Sequence, residues 1–247
     1  MLRLAMPIRA VLFDLGDTLF RLDPIAASTS ADLARLLQER TSLNVADAGR
    51  VAESLGERVS TYANGLGDGS ELREIDIAEE SLRLVSSAGA IVTDATGEAV
   101  ATLFSAADIA RFRPSDDCAA RVATFRRAGL RLAIVSNTSS VPAMMAAFLA
   151  RVGLYELFDG TVFSSEVGWR KPDRRIYEVA LGALAVSPAD ALFVGDRVLQ
   201  DVLGPQSIGI RAVLTHEFRQ EDVGNARPLA VVQRLDDLHG AIAQARG

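Results

Sequence analysis

Apolar positions fall into two textures along this chain. Residues 8–14, IRAVLFD, form a nearly continuous apolar run that predicts a buried strand ended at Gly16. From about residue 22 to about 110 no comparable run occurs. Apolar residues there recur at helical spacing and predict helices near 24–40, 44–62, 71–88 and 94–107. The string NGLGDGS at 64–70 predicts a turn, and Glu71 and Glu74 favour a helix start beside Ser70. After about residue 111 helix and strand patterns alternate. Helices are expected at 115–128 (closed by Gly129), 141–152 (closed by Gly153), 174–184, 198–208 and 235–244. Strands are expected at 130–136, 160–164, 191–195, 210–214 and 229–232. Such alternation implies a parallel sheet covered on both faces. The expected organisation is an α/β core made of residues 1–20 and 111–247, with residues 21–110 inserted as an all-helical domain.

Charge follows the same division. The 247 residues carry 26 basic and 32 acidic side chains, a net charge of −6. Residues 21–110 hold 15 acids against 7 arginines, so the acidic surface belongs to the helical insert and the sheet domain is nearly neutral. An acidic balance argues against nucleic acid as a partner. The N-terminal apolar run is cut by Arg9 and Asp14 and has no cleavage-site pattern, so neither a signal peptide nor a membrane span is expected. Cys118 is the single cysteine, which precludes an internal disulfide and fits a reducing, cytoplasmic compartment. Of the 26 basic residues 25 are Arg, and the one lysine is Lys171. Where arginine serves every generic need, a retained lysine suggests a need for a compact ammonium.

Parallel sheets bind ligands beyond the carboxyl ends of their strands. The residues there are Asp14, Gly16, Asp17 and Thr18 after the first strand, and Ser136, Asn137 and Thr138 after the second. Arg170, Lys171 and Pro172 follow the third, and Gly195, Asp196, Arg197 and Asp201 the fourth. Carboxylates at Asp14 and Asp196 suit a hard divalent cation such as Mg²⁺. A lysine and a hydroxyl nearby suit a transferring phosphoryl group, for which a carboxylate is a competent nucleophile. Each also has a plainer reading: a helix cap for Asp14, a turn for residues 136–138, a helix entry for residues 171–173.

FDLGDTL at 13–19, VSNTS at 135–139, GWRKPDRRIY at 168–177 and FVGDRVLQD at 193–201 occur in this order, each after a predicted strand. Together they resemble the four motifs of the haloacid dehalogenase-like (HAD) hydrolase superfamily. The resemblance covers essentially the whole chain and implies a Rossmann-like core with a helical cap inserted after the first motif. It implies that Asp14 is the nucleophile and a Mg²⁺ ligand, with the Gly16 carbonyl and Asp196 as further ligands. Ser136 and the Asn137 amide then bind the phosphoryl oxygens, Lys171 steadies nucleophile and phosphoryl group, and Asp201 orients Lys171 or a metal-bound water. The implied activity is Mg²⁺-dependent hydrolysis of a small phosphorylated metabolite through an aspartyl-phosphate.

One departure stands in the first motif. Phosphatases of the superfamily usually carry Asp two residues after the nucleophile, where it protonates the leaving group; here that residue is Gly16. Asp17 is next in line as a substitute acid, or is a turn acid, because consecutive side chains point in different directions. Two other readings follow from the superfamily. A 2-haloacid dehalogenase uses the same nucleophile on carbon without metal, although the two acids of GDRVLQD argue for metal and phosphorus. A weakly active or non-catalytic binding protein fits the loss of the second Asp. A phosphonatase would need a lysine in the cap, and residues 21–110 have none. His216 and His239 lack ligand spacing, and Met144, Met145 and Cys118 read as core; Trp169 either lines the site or packs, and Arg170 and Arg197, beside catalytic positions, either touch substrate or merely flank the motifs.

Overall fold

The computed structural model describes residues 7–24, 28–64 and 72–244. In chain order come β1 (Ala10–Phe13), β2 (Arg21–Leu22), α1 (Ser28–Arg40), α2 (Val45–Asn64), α3 (Ile77–Ser87), α4 (Asp94–Ile109), β3 (Phe112–Arg113) and α5 (Cys118–Arg127). Then follow β4 (Arg131–Ser136), α6 (Pro142–Arg151), β5 (Gly160–Phe163), α7 (Ser164–Val167), α8 (Arg174–Leu184), β6 (Ala191–Gly195), a π-helical turn (Val198–Leu203), α9 (Gly204–Gln206), β7 (Arg211–Thr215), β8 (Ala230–Val232) and α10 (Leu238–Gln244). No described helix is long and apolar enough to cross a membrane.

The chain divides into two compact units. The first comprises Met1–Leu22, Phe112–Thr138 and Ala146–Gly247. Its six-stranded sheet has the order β5-β4-β1-β6-β7-β8, all parallel. β1 is buried at all four positions, as a strand covered on both faces must be. Its alternate residues serve opposite faces. Ala10 and Leu12 pack with Ala133, Val135, Phe193 and the apolar side of α8, including Ile176, Tyr177 and Ala180. Phe13 points the other way, its ring 5.7 Å from that of Phe125 on α5 and 6.3 Å from that of Phe158. β2 and β3 form a small antiparallel pair of their own, with Phe20 edge-on to Phe112 beneath it.

The second unit is Asp23–Arg111 with Ser139–Met145. α1–α4 close around Leu33, Leu37, Leu43, Val51, Leu55, Val85 and Val100. The predicted turn at 64–70 lies outside the described residues except for Asn64. The helix expected from Ser70 begins instead at Ile77, because Asp76 is the stronger stop for the chain: its carboxylate accepts from the Glu79 N–H at 3.0 Å. Three further expectations need correction. The helix read at 198–208 is a wide π-helical turn followed by a single α-turn, and Pro205, lacking an N–H, cannot continue the regular ladder. The last helix opens with a 3₁₀ turn at Leu235–Asp237. The helix read at 115–128 starts at Cys118.

Candidate active site

The topology decides which strand ends meet. β1 lies between β4 and β6, with Phe13 level with Val194 and Ile134. The Asp14 N–H extends that ladder by bonding the Val194 carbonyl at 2.9 Å. Asp14 and Asp196 therefore leave the sheet side by side, and Ser136 ends the strand on the other flank. All three side chains are buried.

Lys171 is fully buried and stands between two carboxylates. Its ammonium donates to Asp14 Oδ1 at 2.6 Å and to Asp201 Oδ1 at 2.8 Å. Burial alone would push this ammonium down, but the Asp14 and Asp201 charges outweigh burial and hold it above the ordinary lysine value. Asn137 fixes the backbone beneath: its side chain accepts from the Lys171 N–H at 2.8 Å and donates to the Lys171 carbonyl at 3.0 Å.

The π-helical turn brings Asp201 back over the end of β6. Asp201 Oδ2 accepts the Arg197 N–H at 2.9 Å, while its own N–H bonds the Arg197 carbonyl at 2.8 Å. Gly195 is what allows this, since a Cβ there would overlap the Asp201 carboxylate. Asp14, Asp196 and Asp201 each offer an oxygen within 4.8 Å of the others. Burial first, then the neighbouring Asp14 and Asp201 charges, push Asp196 up to about 8. Burial likewise raises Asp201, against the pull of Lys171. Asp196 Oδ2 is buried without a hydrogen bond among the described residues. Three acids crowded around one buried ammonium in a dry cluster resist ionising together, and a divalent cation with oxygen ligands supplies the positive charge that would let them do so.

Asp17 is not brought into this cluster. Its backbone is left-handed (φ 54°), and its carboxylate accepts from the Leu22 N–H at 3.0 Å, so it closes the turn into β2. Gly16 beside it has no room for a side chain as the loop stands: a Cβ would lie 2.5 Å from Leu22 Cδ1. The side chain of Leu22 fills the place.

Other residues went unassigned in the sequence. Thr18 is buried, and its hydroxyl lies 3.4 Å from Asp14 Oδ2 and 3.5 Å from Asp196 Oδ1. Its position within the first motif was the available signal. Gln200 accepts from Asn137 at 3.4 Å, and the buried Tyr177 hydroxyl donates to the Gln200 carbonyl. Arg219, in the loop after β7, places Nε 3.5 Å from Asp196 Oδ2. Only the end of a fifth strand pointed to it. The remaining candidates are structural. His239 stacks on Phe125 at 4.3 Å, and His216 meets the Glu221 carbonyl at 3.2 Å. Trp169 lies under the Arg175 guanidinium. Cys118 is buried, its thiol pushed up to about 11 by burial.

A parallel sheet that gathers an aspartate beyond its central strand, a buried lysine against it and two further acids is suited to nucleophilic chemistry beside a cation. The model of the haloacid dehalogenase-like hydrolases matches residues 8–209, and the chain belongs to that family. A phosphoserine phosphatase of Thermus thermophilus is 37% identical over 123 residues, 46% of this chain and 49% of that protein, so the match spans about half of that relative. A glyceraldehyde 3-phosphate phosphatase of Methanothermobacter thermautotrophicus is 28% identical over 220 residues, 85% of this chain and 86% of its own. Among solved structures, a 2-haloacid dehalogenase from Pseudomonas syringae shares the fold with a TM-score of 0.70, at 22% identity over 96% of this chain and 99% of that one.

Proposed function

We propose that this hydrolase is a Mg²⁺-dependent phosphatase of small phosphorylated metabolites, acting through an aspartyl-phosphate on Asp14. The observation that carries the reading is the buried cluster of Asp14, Asp196 and Asp201, with Lys171 bonded to the first and last and a carboxylate oxygen of Asp196 unbonded. Asp14, Asp196 and the Gly16 carbonyl are the groups that would hold Mg²⁺. When bound, the ion supplies positive charge that polarises the phosphoryl oxygens.

The chain's own groups do the rest. Lys171 aligns Asp14 through its bond to Oδ1, and Asp201 fixes Lys171 in turn. The Ser136 hydroxyl and the Asn137 N–H donate to the phosphoryl oxygens. An Asp14 oxygen bonds to phosphorus as the bond from phosphorus to the leaving oxygen breaks, and the leaving oxygen takes a proton from solvent water, since Gly16 supplies none. Water then attacks phosphorus, releasing inorganic phosphate and restoring the Asp14 carboxylate. Residues 21–110 are read as the cap that admits small substrates and excludes bulk water. The two phosphatase relatives support the phosphate-ester class, one acting on phosphoserine and the other on glyceraldehyde 3-phosphate by name. A reducing cytoplasm is the location this reading implies.

The test is hydrolysis of an aryl phosphate and of acetyl phosphate, with Mg²⁺ or with EDTA, by the wild type and by Asp14→Asn. Metal-dependent turnover that disappears in the variant is the expected result. No turnover of either substrate sinks the reading. Metal-independent halide release from a 2-haloacid would then favour a dehalogenase, and its absence a binding protein.

A further inference from the structure

Arg219 is held where a solvated surface arginine would not be. The loop that carries it is pinned on both sides. Before it, the His216 N–H bonds the Val232 carbonyl at 2.8 Å. Glu217 accepts from both terminal nitrogens of the Arg121 guanidinium at 2.9 and 3.1 Å and also accepts the Leu235 N–H at 2.5 Å. After it, Glu221 accepts the Val198 N–H at 3.3 Å, and its carbonyl meets His216 Nε2 at 3.2 Å. Between these anchors Arg219 Nε is buried yet has no hydrogen bond among the described residues. It lies 3.5 Å from Asp196 Oδ2 and 3.8 Å from Glu221 Oε2, both beyond ordinary hydrogen-bond length. The side chain is 39% exposed, so part of the guanidinium faces solvent while Nε is covered.

The donor count of the site gives this arginine a purpose. An ammonium has three N–H groups, and Lys171 spends two of them on Asp14 and Asp201. One is left for a phosphoryl group that presents several oxygens. The charge count agrees. With a divalent cation bound, three carboxylates and Lys171 sum to zero, a poor match for an anion. Arg219 makes the sum positive, and its planar fork suits phosphate oxygens.

We propose that Arg219 is a second cation of the phosphoryl site, binding a phosphate oxygen alongside Lys171. The proposal rests on the phosphatase reading above and adds a binding residue that the four motifs do not contain. Asp196 holds the guanidinium at the site until phosphate arrives, and the pinned loop keeps it from swinging into solvent.

The experiment is calorimetric titration of inorganic phosphate, in Mg²⁺, into the full-length wild type, Arg219→Gln and Arg219→Lys. Phosphate binding should weaken about tenfold or more in Arg219→Gln, as expected for loss of a charge-assisted contact, with Arg219→Lys in between. KM for acetyl phosphate should rise in parallel, with a smaller change in kcat and the unfolding midpoint unmoved. Mg²⁺ titrated without phosphate separates the alternative. If Arg219→Gln alters Mg²⁺ affinity but leaves phosphate affinity unchanged, the arginine is a counter-ion of Asp196 only and the proposal falls. If the wild type turns over no phosphate ester yet binds phosphate through Arg219, the phosphatase reading fails and the anion site stands. If the wild type binds no phosphate, both fail.

Discussion

The two units use the same charged residues to opposite ends. In the helical unit ion pairs such as Asp32 with Arg35 and Asp47 with Arg50 lie one helical turn apart with their arginines exposed, and Glu80, itself mostly covered, meets the exposed Arg83 and Arg58. In the sheet unit Lys171 is buried with Asp14 and Asp201, and Asp196 stands beside them. Water does most of the stabilising for the first set, so any one pair is dispensable. The second set has left water behind, so each member depends on the others. Charges that are costly to bury and do not balance one another point to a role other than stability.

The largest contrast should come from Lys171→Met. Removing one partner of a buried ion cluster costs about 3–5 kcal/mol, and here it also removes the group that aligns Asp14. Turnover of acetyl phosphate should fall by about 10²–10³-fold or more, as for other preorganised charges. Lys171→Arg should fail as well, because a planar fork does not fit between the two acids. A variant retaining half its activity would break the comparison.

Asp196→Asn should split function from stability. Turnover should drop steeply and lose its response to Mg²⁺. In EDTA, however, the unfolding midpoint should rise, most of all above about pH 8, where Asp196 carries its charge beside Asp14 and Asp201. Scanning calorimetry reads the sign directly, and a fall would mean that Asp196 is stabilised by its surroundings after all.

Gly16→Asp probes the departure in the first motif. Alone it must displace Leu22, whose side chain occupies the required space. Combined with Leu22→Ala it should speed hydrolysis of alkyl phosphates, with general-acid help worth about 10²-fold or more and little change for acetyl phosphate. Equal rates for single and double variants would show that Leu22 moves aside freely.

The smaller effects belong to the helical unit. Asp76→Ala removes the cap of α3 and should cost about 1 kcal/mol by denaturant unfolding. Arg83→Gln, on the same helix, should leave the unfolding midpoint where it was.

The sequence was most readable where burial leaves one solution. β1, β4 and β6 are covered on both faces, so they appear as unbroken apolar runs, and the residues just past them include the acids and hydroxyl of the site. Asp17 was ambiguous because a turn acid and a catalytic acid look alike in sequence. Its left-handed backbone and its bond to the Leu22 N–H distinguish them. Arg219 was hidden for a different reason. It belongs to no motif, and its relation to Asp196 depends on β6 and β7 being neighbours in the sheet. The π-helical turn was read as a helix because apolar spacing does not separate a wide turn from a regular one. The β2–β3 pair was missed because two-residue strands some 90 residues apart carry no periodicity.

The place of β1 in the sheet has a consequence for how the molecule is made. This strand precedes both its neighbours by more than a hundred residues: Ala10 pairs with Arg131 on one side and Ala191 on the other. The intervening helices contact one another over short sequence distances and gain order with little loop to close, whereas the sheet must wait. Asp14 is thus made well before the residues that surround it. A nascent chain that has not reached Asp201 holds Asp14 without the buried cluster around it.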